Sequence, residues 1–386
     1  MDSPVYLDYN ATTPVAPEVA DAITPYLREH FGNASSAHVY GRRAAEAVAR
    51  ARERIAALIG ARSDEIVFTG CATEANGLAL CGVARALAVR KRHLVISAVE
   101  HPAVHEPAMQ LRERGWEVSV VPVDGTGRVD PDTVAAATRD DTALVSIMHA
   151  NNEIGTIQPI EEIGRRVRGR GILLHTDAAQ TPGKIPVSVD TLGVDLLTVA
   201  GHKFYATKGV GALYVRRGTP IAPASFGAGQ ERGLRPGTEN VPAIVGFGAA
   251  ARLASERVAT AGPRMQALRD RLQARLAADV PDLRLNGHPV YRLPNTLNVS
   301  FPGVSGEALL EAVRADVAAS VGSACHAGSH EPSGVLAAIG ADLPRALGAV
   351  RMSVGAYTTD ADIDRAAHAL LAAWEALRRV AERSAA

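Results

Sequence analysis

The stretch Thr198-Val-Ala-Gly-His-Lys-Phe-Tyr-Ala-Thr-Lys-Gly-Val-Gly-Ala-Leu-Tyr-Val215 sets His202 and Lys203 between two apolar, β-rich runs. Upstream of it, similar short runs alternate with helical stretches of a dozen or more residues. The runs are Ile66–Thr69, Leu94–Ser97, Val118–Val121, Ala143–Met148, Ile172–His175 and Leu196–Val199, with Gly211–Val215 as the seventh. That alternation is the signature of β-α-β units, so the chain is read as α/β with one large, mostly parallel sheet between helices. In such a sheet ligands bind outside the carboxyl ends of the strands, and Lys203 falls there. A lysine hemmed in at that rim loses hydration, its amine is more easily neutral, and it can attack a carbonyl carbon. A surface lysine joining two strands is the plain alternative, and these residues alone do not decide between the two.

The bulk composition narrows the chemistry. At 386 residues the chain exceeds the size of a single hydrophobic core, and its 47% hydrophobic content can fill two. Lys plus Arg and Asp plus Glu both total 41, so no global field favours nucleic acid or an anionic membrane as a partner. The start, Met1-Asp-Ser-Pro-Val-Tyr-Leu-Asp8, lacks the basic and apolar regions of a signal peptide, and no stretch reads as a membrane span. Three cysteines, Cys71, Cys81 and Cys325, suit a reducing cytoplasm, and their spacing fits no zinc motif, so no metal is expected.

Around the sheet, Tyr6–Thr13 reads as an extended arm entering a loop, Pro17–Phe31 as a helix, and Val39–Ile59 as a second helix closed by Gly60. The polar, glycine-rich Phe226–Asn240 reads as a functional loop. A long helical stretch from Val241 to about Ala278 is expected to break or bend near Gly262-Pro263. Beyond it, strand signals at Asn295–Phe301 and Val350–Val354 are mixed with helices near Glu307–Val313, Gly334–Ile339 and Asp360–Glu382. The expected division is a large domain over residues 14–261, and a smaller α+β domain from residues 1–13 and 262–386.

The residues just after the runs are rich in functional groups: Cys71-Ala-Thr-Glu74, Glu100-His-Pro102, His149-Ala-Asn-Asn-Glu153, Asp177-Ala-Ala-Gln180 and Gly201-His-Lys203. Each is compatible with ordinary turn and cap chemistry. Together they suit pyridoxal 5′-phosphate, whose ring is an electron sink only while its nitrogen stays protonated. Asp177 is placed to pair with that nitrogen, Lys203 to hold the aldehyde as a Schiff base, and His101 to lie over the ring. Thr73, at an expected helix start, offers a hydroxyl and backbone N–H groups to the phosphate.

Several of these motifs carry a resemblance that runs nearly end to end. They include Tyr6-Leu-Asp-Tyr-Asn-Ala-Thr-Thr13, Cys71-Ala-Thr-Glu-Ala-Asn76, His149-Ala-Asn-Asn-Glu-Ile-Gly155, Arg235-Pro-Gly-Thr238, Gly322-Ser-Ala-Cys325 and Arg351-Met-Ser-Val354. The chain resembles the cysteine desulfurases of the NifS and IscS type, within the class V aminotransferase family. The resemblance implies a fold-type I, pyridoxal-phosphate-dependent homodimer that turns L-cysteine into L-alanine and an enzyme-bound persulfide, for delivery to a sulfur-acceptor protein. It implies that Ala72, Thr73, Ala200 and His202 lie at the cofactor, with Thr238 reaching the phosphate of the neighbouring subunit. Gln180 would donate to the ring's phenolic oxygen, while Asn10, Asn152 and Arg351 would hold the substrate. A guanidinium suits that last role because its planar fork binds a carboxylate through two hydrogen bonds.

The nucleophile would be Cys325, in the segment Ala319-Ser-Val-Gly-Ser-Ala-Cys-His-Ala-Gly-Ser-His330 of small residues without apolar periodicity, with His326 adjacent to stabilise the thiolate. Cys71, at an expected helix start, is the rival, although its cofactor-binding turn is expected to leave an acceptor little room. Cys81 is expected to pack in the core. Two positions depart from the family pattern: Ala200, where many relatives carry a hydroxyl, and Ala356, where many carry arginine. Some segments are also similar to selenocysteine lyases, and a weakly active sulfur-relay scaffold is a reading of another class. The acceptor stays open among iron–sulfur assembly, tRNA thiolation, DNA sulfur modification and biosynthesis.

Overall fold

The computed structural model of the chain describes residues 3–321 and 333–385. Strands β1 to β8 span Val5–Tyr6, Ile66–Thr69, His93–Ser97, Glu117–Val121, Thr142–Ser146, Leu173–Asp177, Leu196–Ala200 and Gly211–Val215. Strands β9 to β12 follow at Arg284–Leu285, Thr296–Ser300, Val317–Ala318 and Ala349–Ser353. Helices α1 to α6 span Pro17–Arg28, Val39–Ile59, Ala72–Leu87, Pro102–Glu113, Pro131–Ala136 and Ile160–Val167. Helices α7 to α12 span Val189–Leu192, Val241–Asp279, Gly306–Ala312, Gly334–Ala338, Leu343–Leu347 and Asp360–Ala385.

Each of the seven apolar runs is a strand of one sheet, in the order β2-β8-β7-β6-β5-β3-β4. The sheet is parallel except at β8, which runs antiparallel to both β2 and β7. Strands β2, β3, β5, β7 and β8 are buried along their whole length, which is why they read as continuous apolar runs rather than alternating ones. β8 packs close beneath the β2–α3 turn at Gly211, where a Cβ would meet the Cys71 carbonyl carbon at 2.8 Å and the Val199 oxygen at 2.9 Å. The position tolerates only glycine. Helix α2 ends where expected, on Gly60 at φ +67°.

Some boundaries differ from the sequence reading. Helix α1 stops at Arg28 rather than Phe31, and β5 ends at Ser146, leaving Ile147 and Met148 in the rim that follows. Asp177 is the last residue of β6 rather than part of the loop after it. The largest difference is α8, assigned as one helix of 39 residues straight through Gly262-Pro263. Proline removes one backbone donor there. The helix is nevertheless held on both sides of that point, because Ile244 and Phe247 pack into one apolar cluster while Met265, Leu268 and Leu272 pack into another.

That second cluster also contains Val5 and Leu7 from the arm, together with residues of β10, β12 and α12. The arm is stitched to it by parallel pairing of β1 with β11 and by a bridge between Asp8 and Ser353. Strands β12, β10 and β9 form a three-stranded antiparallel sheet. Among the described residues no helix is long and apolar enough to cross a membrane.

Candidate active site

At the carboxyl rim of the large sheet lies a cleft of about 680 Å³, lined by His101, Asp177, Lys203 and Arg351 among others. Asn10, Ala72, Thr73, Asn152, Gln180, Ala200 and His202 also line it, so eleven of the thirteen expected site residues meet there. Thr238 is exposed and does not line the cleft of its own chain. Cys325 lies outside the described residues. A larger groove, about 890 Å³, is lined by Lys91, Arg168 and Arg216 and contains none of the expected site residues.

Lys203 closes the short turn after β7. Its Nζ donates to the backbone oxygens of Asn10 at 2.6 Å and Ala11 at 2.8 Å, so the N-terminal arm runs directly over the lysine. The arm is fastened by Thr13, whose backbone N–H donates to the His202 oxygen at 2.9 Å and whose hydroxyl donates to the same oxygen at 3.0 Å. Tyr205, two residues after Lys203, has φ +73°, a strained conformation for a non-glycine residue. It is held by three hydrogen bonds: its N–H donates to the Thr13 hydroxyl at 2.7 Å, its own hydroxyl accepts the Ala356 N–H at 2.6 Å, and its backbone oxygen accepts the Ala16 N–H at 3.1 Å. The turn is thus fixed by partners rather than by its own preference.

Asp177 accepts from Asn76 Nδ2 at 2.7 Å and from the Ala179 N–H at 2.9 Å. His101 caps α4, and its Nδ1 accepts the Ala103 N–H at 3.0 Å. A neutral imidazole that accepts at Nδ1 carries its proton on Nε2. Burial holds the His101 imidazole below its ordinary value, with Asp177 opposing that shift and Lys203 reinforcing it. His202 is pushed down to about 4, first by burial and then by the charges of Lys203, Lys208 and Lys184.

Helix α3 begins on the cleft with no side-chain cap from Cys71, so its first N–H groups, at Ala72 and Thr73, are available to an anion. Two buried side-chain oxygens in this region, Asn76 Oδ1 and Glu100 Oε2, have no hydrogen-bond partner among the described residues. Glu100 accepts from the Ser97 hydroxyl at 2.5 Å and the Met148 N–H at 3.0 Å, and burial raises its carboxyl to about 8. An amine, a carboxylate, a capping imidazole and an uncapped helix start fit an aldehyde-bearing, cationic ring with a phosphate. Arg351, which also lines the cleft, is buried in β12, donating to Asp8 Oδ1 at 2.7 Å and to the Asn152 oxygen at 3.2 Å, while its Nε has no hydrogen-bond partner among the described residues.

One expectation about cysteines is corrected: Cys81 is only half-buried in α3 rather than packed in the core, while Cys71 is exposed and lines the cleft. Burial raises the Cys81 thiol, which keeps it protonated and unreactive. The sequence reading also gave no role to Asn76, Glu100 or Lys184. A polar residue inside the apolar face of a helix is the one available signal for Asn76.

A class-V aminotransferase family profile matches residues 5–366. A cysteine desulfurase of Trichormus azollae is 49% identical over 364 residues, covering 94% of this chain and 91% of that protein. A cysteine desulfurase IscS of Dictyoglomus turgidum is 48% identical over 381 residues, covering 98% of this chain and 97% of that one. Among solved structures, a NifS-like protein superposes with a TM-score of 0.90 at 40% identity, covering 97% of this chain and 99% of the other.

Proposed function

The chain belongs to the class-V aminotransferase family, with the fold-type I architecture of its NifS-like neighbours, and from that membership we propose that it is a pyridoxal-phosphate-dependent cysteine desulfurase. The observation that carries the reading is the meeting of Lys203, Asp177, His101 and Thr73 on one cleft at the sheet rim. The family's cofactor supplies an electrophilic aldehyde and an electron-withdrawing ring. Lys203 would hold the aldehyde, Asp177 the ring nitrogen, and Thr73, Ala72 and His202 the phosphate. Thr238 would complete the phosphate site of the partner in a homodimer.

The chain's own residues then perform the rest. Arg351 and Asn152 would hold the substrate carboxylate, and a neutral His101 with its proton on Nε2 would give and take protons at the substrate. Cys325 takes the sulfur as its thiolate: the carbon–sulfur bond of L-cysteine breaks, a sulfur–sulfur bond forms, and L-alanine leaves with the hydrogen that balances the transfer. The desulfurase names of the similar proteins favour L-cysteine over selenocysteine as substrate. The persulfide passes to an acceptor protein in the cytoplasm. Two large apolar clusters support dividing the chain into residues 14–261 and a second unit of 1–13 with 262–386, and a smaller cluster that packs Val99, Met148 and Ile154 against Val335, Leu336 and Ile339 joins the two.

The test is an absorption spectrum of the purified protein before and after adding L-cysteine, with alanine measured. A visible cofactor band that changes on addition, with alanine formed, is expected. A protein that stays colourless and forms no alanine after incubation with pyridoxal phosphate contradicts the reading.

A further inference from the structure

Directly behind the cleft lies a second lysine that the proposed chemistry does not use. Lys184 is 5% exposed, and its Nζ has two acceptors, Gln180 Oε1 at 2.7 Å and Asn10 Oδ1 at 3.3 Å. Backbone carbonyls, which only accept, fix the sense of both contacts. Gln180 Nε2 donates to the Asn10 oxygen at 3.0 Å, so the atom that faces Lys184 is the amide oxygen. Asn10 Nδ2 donates to the Asn152 oxygen at 3.1 Å, so its Oδ1 likewise faces Lys184. The lysine therefore donates in both directions.

The carbonyl that receives Gln180 is the one that receives Lys203. Both of its lone pairs are thereby taken, and one N–H of Gln180 is left over on the side of the cleft that Gln180 lines. If the carboxamide were flipped, its oxygen would face the Asn10 carbonyl and its nitrogen would face a donor. Lys184 makes that orientation unfavourable. Desolvation, reinforced by Lys203 and Arg351, holds the Lys184 amine well below the ordinary lysine range. A neutral amine still has two N–H groups, one for each acceptor, so the arrangement does not depend on its charge.

We propose that Lys184 is a positioning residue, whose two N–H groups lock the Gln180 carboxamide with its nitrogen beside Lys203 and toward the cofactor. The inference rests on the cofactor reading above. On it, Lys184 acts through Gln180 and touches neither cofactor nor substrate.

The test compares holoenzyme of the wild type with K184M, K184Q, Q180L and the K184M/Q180L double variant, reading the visible cofactor band against pH and the cofactor dissociation constant. K184M and Q180L should each displace the band and weaken retention by about tenfold. K184Q, which keeps two donors, should stay within about threefold of the wild type. In the double variant K184M should add less than about twofold to Q180L, because residues acting through one another are not additive. If K184M does not fold, K184Q against Q180L still decides, since K184Q must resemble the wild type and Q180L must not. A K184Q protein displaced as far as Q180L, or a K184M effect that persists undiminished without Gln180, overturns the inference alone. A wild type with no cofactor band overturns the cofactor reading and this inference together.

Discussion

The rim of the large sheet and the N-terminal arm build the two sides of one cleft by different means. At the rim, strands end in side chains with their own chemistry: Asp177 on β6, His101 at the start of α4, and Lys203 after β7. The arm offers mainly backbone, with the carbonyls of Asn10 and Ala11 receiving the Lys203 amine. Its Asn10 side chain is 1% exposed and joins Lys184, Asn152, Asn295 and Thr296 in a single network. The contrast separates reactivity from placement. Substitutions at the rim should remove chemistry and leave the fold, whereas substitutions in the arm should loosen the fold and lower activity only as a consequence.

The largest effect is expected at Lys203→Ala, with alanine formation from L-cysteine falling by about 10⁴-fold or more while thermal unfolding is nearly unchanged. Next is Asp177→Asn, which keeps the shape and removes the charge; single-turnover rates should fall by about 10²–10³-fold. A smaller loss of rate in Asn10→Ala, with roughly 2–4 kcal/mol lost in denaturant unfolding, would mark the arm as a placement device, because several buried partners are left unpaired. If Asn10→Ala instead matched Lys203→Ala in rate without loss of stability, the contrast between rim and arm would fail.

The smallest effect concerns pH. Glu100 has its carboxyl raised from 4.5 to about 8 by burial, so its contribution to stability is fully present below the unfolded value and is lost as pH rises through about 8. Glu100→Gln should therefore flatten the decline in stability between about pH 6 and pH 8 by about 1–2 kcal/mol relative to the wild type, measured by unfolding at each pH. An unchanged slope would show that this carboxyl titrates normally.

The same contrast explains what was legible in the sequence. The seven strands were readable because burial on both faces imposes uninterrupted apolar runs, and the rim side chains followed from where those runs end. The continuity of α8 was not readable, since Gly262-Pro263 is a strong local breaking signal and the packing that overrides it comes from residues distant in sequence. Strands β1 and β11, two residues each, are too short to carry a periodicity. The carbonyls over Lys203 have no side-chain signature at all. Lys184 has no local pattern to mark it, and only the fold buries it against Gln180.

The central claim, that Lys203 anchors the cofactor at a site where Cys325 takes the sulfur of L-cysteine, is tested most directly by mass spectrometry of the protein after one turnover with L-cysteine. One added sulfur atom on Cys325, matched in amount by alanine and absent in Cys325→Ala, is the expected result. Sulfur found on Cys71 instead, or alanine formed at an undiminished rate by Cys325→Ala, would contradict it.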